Sequence, residues 1–154
     1  MEGTEHTIGL GKIIGNLHSL ELLLRVFLCE KNRENLDFPE SSTGVVQETH
    51  LTNFMSLGNL IDAYNATLAP LEEIFSIDRS VVKIRDAIAH GRLTSLATTF
   101  PLTLHKFGKP KAGVVTIELV EVISEKWLSE NRQLIFDQMG KIQRCARARN
   151  YHSL

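Results

Sequence analysis

The sequence predicts a mainly α protein: an antiparallel up-and-down four-helix bundle with a β-hairpin inserted between helices three and four. Two observations support this fold class. Apolar residues recur at helical spacing in four segments, and one region between the third and fourth segments alternates as two strands do. The chain has 154 residues, a length that one core can serve, so residues 1–154 are expected to form a single domain.

The first helix is indicated by apolar residues that repeat every three or four positions. Leu22 and Leu23 widen the apolar stripe beyond one face. Such a helix is typical of the centre of a bundle or of a surface shared with a second subunit. Residues 29–50 then become polar and are predicted to form a long loop. The stripe itself is Leu10, Ile13, Ile14, Leu17, Leu20, Leu24, Phe27 and Leu28.

The second helix is predicted over residues 52–68, with Thr52 or Asn53 as its N-cap and Pro70 at its end. Its stripe consists of Phe54, Leu57, Ile61, Tyr64 and Leu68. One short helical turn is expected to follow over residues 71–75.

The third helix is predicted to start at an Asp78 N-cap and to end at Gly91, which suits a left-handed closing residue. Its expected core stripe is Ile77, Val81, Ile84 and Ile88. The side chains between these positions should therefore lie on other faces of the helix.

The β-hairpin is predicted from two alternating segments, Phe100 to His105 and Val115 to Val120, joined by the turn-rich residues 108–113. Pro101 is expected to keep the first of these strands at a sheet edge. The fourth helix is predicted over residues 124–149, with Trp127 as a core anchor. The rest of its inner side is expected to be Leu128, Asn131, Ile135, Met139, Ile142, Cys145 and Ala146.

Composition narrows the class of protein. The net charge is −1, so any polyanion has to meet a local basic patch rather than an overall positive field. Cys29 and Cys145 match neither a disulfide framework nor a metal knuckle. The N-terminus is acidic, unlike a secretory signal, and the most apolar run is interrupted by four polar residues. These features predict a soluble, cytoplasmic protein with no membrane partner.

One stretch carries chemistry: the segment RDAIAHGR, from Arg85 to Arg92. A guanidinium matches phosphate oxygens and the charge that builds on them during transfer. An imidazole titrates near neutral pH and exchanges protons with ribose oxygens. Arg85 and His90 together are therefore suited to metal-independent cleavage of RNA, whose 2′-hydroxyl is an internal nucleophile. DNA lacks that hydroxyl.

The spacing of these groups constrains the site. Asp86 and His90 are four residues apart, so the carboxylate is able to reach the imidazole. Arg85 and His90 are five apart, about 140° round a helix, so one copy of the helix does not aim both at one small target. Either Arg85 bends round on its long side chain, or a second copy of the helix across a two-fold axis completes the site. The alternative is that Arg85, His90 and Gly91 serve only to terminate the helix.

Arg85-Asp86-Ala87-Ile88-Ala89-His90 resembles the R-x4-6-H motif of the HEPN superfamily (higher eukaryotes and prokaryotes nucleotide-binding). The resemblance implies an all-helical homodimer and a metal-independent endoribonuclease of toxin–antitoxin or phage-defence type. It assigns phosphate stabilisation to Arg85, proton transfer to His90 and orientation of one of them to Asp86. It also implies an antitoxin partner such as a minimal nucleotidyltransferase. The alternative is a catalytically inactive dimeric module that binds a protein or a nucleotide.

Other residues are candidates for phosphate contacts or for metal ligands. Arg92, next to the motif, is the best candidate for a further substrate contact. The hairpin lysines Lys106, Lys109 and Lys111 could touch a polyanion, although charged hairpin tips are common. The basic last helix is better explained by its C-terminal dipole than by an RNA groove. The histidines show no metal-ligand spacing, so no metal or cofactor is expected.

Overall fold

The structure, a computed structural model, describes residues 3–37, 44–95 and 100–151. In chain order, the described residues form three α-helices with a 3₁₀ turn before the third, then three strands, and then a fourth α-helix. The elements are α1 (Gly3–Asn32), α2 (Leu57–Asn65), a 3₁₀ turn (Pro70–Phe75), α3 (Ser80–His90), β1 (Arg92–Thr94), β2 (Thr103–Phe107), β3 (Ile117–Val122) and α4 (Glu125–Ala148).

The predicted four-helix bundle with an inserted β-hairpin is wrong. The strands between α3 and α4 form a three-stranded antiparallel sheet in the order β1-β2-β3. β1 starts two residues after the last residue of α3 and was not predicted. It is only three residues long and exposed throughout, so it has no alternation of apolar and polar side chains for a sequence pattern to detect.

The chain divides into two compact units, and α1 and α4 each contribute residues to both. The first unit contains residues 1–17 and 80–136, and the second contains residues 18–79 and 137–154. The core of the first unit consists of Ile13, Leu17, Val81, Ile84, Ala87, Leu104, Ile123, Leu128 and Ile135. The core of the second consists of Leu20, Leu24, Phe27, Leu28, Cys29, Leu57, Leu60, Ile61, Tyr64, Ile77, Ile142, Cys145 and Ala146.

The sheet of the first unit has β2 at its centre. Leu104, in the middle of β2, is buried, whereas β1 and most of β3 are exposed. The expectation that Pro101 keeps this strand at an edge is therefore wrong. Pro101 precedes the first residue of β2, so its missing N–H is not required by either ladder.

α2 is shorter than predicted, and neither Thr52 nor Asn53 is its N-cap. The cap is Ser56, whose hydroxyl accepts a hydrogen bond from the Asn59 backbone N–H (3.2 Å). Phe54, predicted to be in the core, lies before the helix and is fully exposed. Phe54 continues the apolar periodicity of the sequence, but it precedes the first residue of α2, Leu57, and so the helix does not direct its side chain to the core.

α3 and α4 follow the predicted stripes closely. Val81 and Ile84 are buried as predicted, but Ala87 takes the core position in the last turn and Ile88 is only half-buried. The bounds of α4 lie within one residue of the prediction. Within the described residues, no helix has an apolar stretch long enough to cross a lipid bilayer.

Candidate functional site

The predicted motif lies on the last turn and a half of α3, within the first unit. The core side of this helix is formed by Val81, Ile84 and Ala87, so residues between them project away from the core. Arg85 and Asp86 are partly exposed, at 40% and 36% of their side-chain surface. Ala89 and His90 are exposed. The motif is therefore presented on the surface of the unit.

Arg85 and Asp86 form an ion pair with each other. Nη1 of Arg85 donates a hydrogen bond to Oδ1 of Asp86 at 3.0 Å. The sequence left open which neighbour Asp86 orients, and the structure places it on Arg85. No hydrogen bond joins Asp86 to His90 in the part of the chain that the structure describes.

His90 is the last residue of α3, and its imidazole is in solvent. A positively charged side chain at this end of a helix is favoured by the macrodipole. An exposed imidazole is also one that a substrate hydroxyl can reach.

Gly91 holds the chain close to the sheet directly after His90. A Cβ built on Gly91 would lie 2.2 Å from the Ala87 carbonyl oxygen and 2.5 Å from Cδ1 of Leu104. The predicted left-handed closing conformation is wrong, because the φ angle of Gly91 is not positive. The glycine is required instead by close packing, which fixes the backbone between His90 and β1.

Arg92 begins β1 and is exposed. It pairs across the ladder with His105 of β2, and its guanidinium carbon lies 5.2 Å from the centroid of the Phe107 ring. His105 and Phe107 have rings parallel within 8° and centroids 6.3 Å apart. The sequence singled out Arg92 but neither ring residue, because the predicted strand ended at His105 and did not include Phe107.

The arrangement offers two cations and an imidazole along a short stretch of surface. Arg85 and His90 are on the same helix but are joined by no contact, in agreement with their separation of about 140°. Together with Arg92, these groups can bind phosphate and exchange a proton with a ribose or phosphate ester oxygen.

In the first unit, a cleft of about 350 Å³ lies between the start of α1 and the start of α4, and its lining includes Glu5, Lys12, Glu125 and Arg132. None of the motif residues lines this cleft. His90 and Arg92 are exposed instead, where a chain-like ligand can reach them. Among the described residues, no group of three or more His, Cys, Asp or Glu side chains is placed to hold a metal ion.

Two arginine-centred clusters in the second unit were not predicted. Arg25 donates to the backbone oxygens of His50, Asn53 and Met55 and to the Glu21 carboxylate. The second cluster is centred on Arg149, which donates from Nε to Oε1 of Glu72 (2.9 Å) and from Nη2 to the Thr67 carbonyl (2.8 Å). Arg25 and Arg149 therefore bind the chain itself.

Comparisons of the chain with protein-family models, with curated proteins and with solved structures find no match.

Proposed function

We propose that this chain is a metal-independent endoribonuclease of the HEPN type that acts at the surface formed by Arg85, Asp86, His90 and Arg92. The observation that carries the proposal is the exposure of His90 and Arg92 on either side of a tightly packed glycine. The proposal rests on these side chains. It does not depend on the expected four-helix bundle with an inserted hairpin, which the three-stranded sheet contradicts.

In the proposed reaction His90 takes the proton from a ribose 2′-hydroxyl. The 2′-oxygen attacks the adjacent phosphorus, and the bond from phosphorus to the 5′-oxygen of the next nucleotide breaks. The products are a 2′,3′-cyclic phosphate and a 5′-hydroxyl that takes up a proton. Arg85, oriented by Asp86, stabilises the charge on the phosphoryl oxygens, and Arg92 binds substrate.

A pair of copies is part of the proposal. One copy has a single motif imidazole, whereas the reaction needs a base and an acid, and Arg85 lies about 140° from His90 on the helix. We propose that two chains pair so that the motif of each completes the site of the other. A cytoplasmic toxin or phage-defence role with a cognate antitoxin, such as a minimal nucleotidyltransferase, belongs to the same proposal.

The test is cleavage of a labelled single-stranded RNA of mixed sequence by purified full chain in EDTA, from pH 5 to 9. We expect cyclic-phosphate products from wild type and none from a 2′-O-methyl substrate. His90→Ala and Arg85→Ala should each lower the rate by about 100-fold or more. Lys83→Ala is the matched control, because Lys83 is an exposed cation on the same helix and should leave the rate unchanged.

A wild-type protein that cleaves no RNA at any of these pH values overturns the proposal. So does a His90→Ala variant that cleaves as fast as wild type, since the activity then comes from another group or a contaminant.

A second candidate function is a catalytically inactive dimeric module that binds a protein partner or a nucleotide. The observation in its favour is the Arg85–Asp86 ion pair, which already engages one nitrogen of the guanidinium. Asp86→Asn separates the two functions. If Asp86 positions Arg85 for catalysis, this variant lowers the cleavage rate; in an inactive module there is no cleavage to lower.

A further inference from the structure

One face of the three-stranded sheet is open. Side chains directly opposite each other on neighbouring strands share a face, so the register aligns Arg92 with His105 and Val120 on one side. The buried Leu104 and its partners lie on the other side. We call the first side the open sheet face; it consists of Arg92, Thr94, Thr103, His105, Phe107, Ile117, Val120 and Val122.

The rings of His105 and Phe107 stand side by side on this face and are nearly parallel. Residues two apart on a strand are separated by about 6.6 Å, and here the rings are parallel within 8° with centroids 6.3 Å apart. Nearly parallel rings on one side of a strand give a nucleic acid planar surfaces on which its bases can stack.

Arg92 is placed to bind a phosphate beside such a base. Its guanidinium rests against the Phe107 ring at 5.2 Å, an arrangement that leaves the in-plane N–H donors accessible. Arg92 forms no ion pair with any of the described residues, so none of its donors is taken by a carboxylate.

The charge around the open sheet face is complementary to a polyanion. Glu118, an exposed residue at the bulge of β3, has its carboxylate paired with Lys106 at 3.2 Å. Glu121 is opposite Leu104 and lies on the other face. Lys109 and Lys111, in the connection between β2 and β3, are exposed. The local charge is thus positive in a chain whose net charge is −1.

We propose that the open sheet face binds single-stranded RNA, with nucleobases stacked on the rings of His105 and Phe107 and an adjacent phosphate on Arg92. This inference rests on the proposed function and deepens it. Arg92 is two residues from His90, so a strand bound on the face continues towards the proposed site. The parallel rings and the Arg92 cation beside the apolar residues Ile117, Val120 and Val122 favour RNA over a protein occupant.

The test is binding of a fluorescently labelled 2′-O-methyl RNA of about ten nucleotides to the full chain, followed by anisotropy. Phe107→Leu keeps the apolar volume and removes the ring, so it should weaken binding by about tenfold or more. His105→Ala should do the same, whereas Phe107→Trp should restore binding. Val122→Ala is the matched control, because it alters the same face without touching a ring.

An oligomer of the same length with abasic sites tests the stacking directly. It should bind the wild type at least tenfold more weakly than the complete RNA and should be insensitive to Phe107→Leu. Equal binding of the two oligomers, or an unchanged Kd in Phe107→Leu, overturns the proposed stacking. If Val122→Asp instead disrupts self-association in sedimentation while RNA binding is unaffected, the face pairs two copies and the proposal is wrong.

The two proposals fail in different ways. If the wild type binds RNA, the two ring variants bind it more weakly, and no cleavage occurs, the nuclease proposal is refuted. RNA binding by the open sheet face then stands. If the wild type cleaves RNA and the Phe107→Leu and His105→Ala variants cleave it with the same efficiency, RNA binding by the open sheet face is refuted and the nuclease proposal stands.

Discussion

Arginines in the two units of this protein are used in opposite ways. Arg25 and Arg149, in the second unit, have 12% and 18% of their side chains exposed and donate to carboxylates and backbone carbonyls. Arg85 and Arg92, in the first unit, are far more exposed. Arg85 has one carboxylate neighbour, whereas the Arg92 guanidinium lies against the Phe107 ring and forms no ion pair with the described residues.

The difference indicates which guanidiniums stabilise the fold and which remain accessible to a ligand. Arg149 contacts Glu72, Thr67 and the Phe27 ring, at 5.4 Å from its centroid, so its donors are engaged within the chain. A guanidinium whose donors point to solvent adds little to stability, yet it is the kind of group that binds phosphate. Residue type alone therefore does not identify a binding arginine.

The largest effect is expected from Arg149→Ala. It leaves the Glu72 carboxylate and the Thr67 carbonyl without their donor, so the free energy of unfolding should fall by about 2 to 3 kcal/mol. Urea denaturation at pH 7 measures this. Arg147→Ala, an exposed arginine two residues earlier on α4, should change stability by no more than about 0.5 kcal/mol. Equal effects of the two substitutions would abolish the distinction between engaged and accessible arginines.

Gly91→Ala is expected to come next, with a loss of about 2 kcal/mol, because the new methyl group would collide with the Ala87 carbonyl and with Leu104. The matched control is Gly15→Ala, at an open position on α1. It should stabilise the protein by about 0.5 to 1 kcal/mol, since alanine favours helix. Thermal unfolding of both variants measures the difference in sign. A stable Gly91→Ala protein would mean that the backbone beneath the exposed motif is not fixed.

A smaller effect is expected on acidification. Hydrogen bonds from Arg149 and from the Ala69 backbone N–H lower the pKa of Glu72 to about 2, below its ordinary value of 4.5. A lowered folded-state pKa means that this stabilisation is present above pH 4.5 and is lost as the pH falls towards 2. The side chain is 21% exposed, so screening reduces the contribution to about 1 to 2 kcal/mol.

The measurement for Glu72 is the urea midpoint of wild type and Glu72→Gln at pH 7, 4 and 3. The difference between the two urea midpoints should narrow as the pH falls, because protonation of Glu72 removes a charge that the glutamine variant lacks at every pH. A gap that stays constant shows that the carboxylate charge does not contribute.

The smallest effect on stability is expected from Arg85→Ala. Its ion pair with Asp86 joins two partly exposed groups, so the loss should be below about 0.5 kcal/mol. A double-mutant cycle with Asp86→Ala measures the coupling between them. A coupling above 2 kcal/mol would place Arg85 with Arg149 among the arginines that stabilise the fold and would weaken its assignment to phosphate.

Much of the helical structure and the antiparallel pair β2–β3 were predictable, but the third strand of the sheet, β1, was not. The periodicity of α4 predicted its bounds to within one residue, because a long amphipathic helix repeats its signal over many turns. Phe54 continued the periodic pattern of α2 without being in the helix. β1 was missed because its three residues are all exposed and its formation depends on pairing with β2.

The sequence by itself determined that Arg85, Asp86 and His90 would lie away from the core. Arg85 and Asp86 lie between the buried Ile84 and Ala87, and His90 ends the helix. A helix fixes side-chain direction through local geometry alone. It did not determine what those side chains would contact.

The tertiary structure decided which groups are engaged and which remain accessible. Arg149 and Glu72 are 77 residues apart, and only folding brings the guanidinium to the carboxylate. The stacking of Arg92 on Phe107 depends in the same way on pairing between two strands. Such contacts depend on which segments pack together, and the spacing of residues within any one segment does not contain that information.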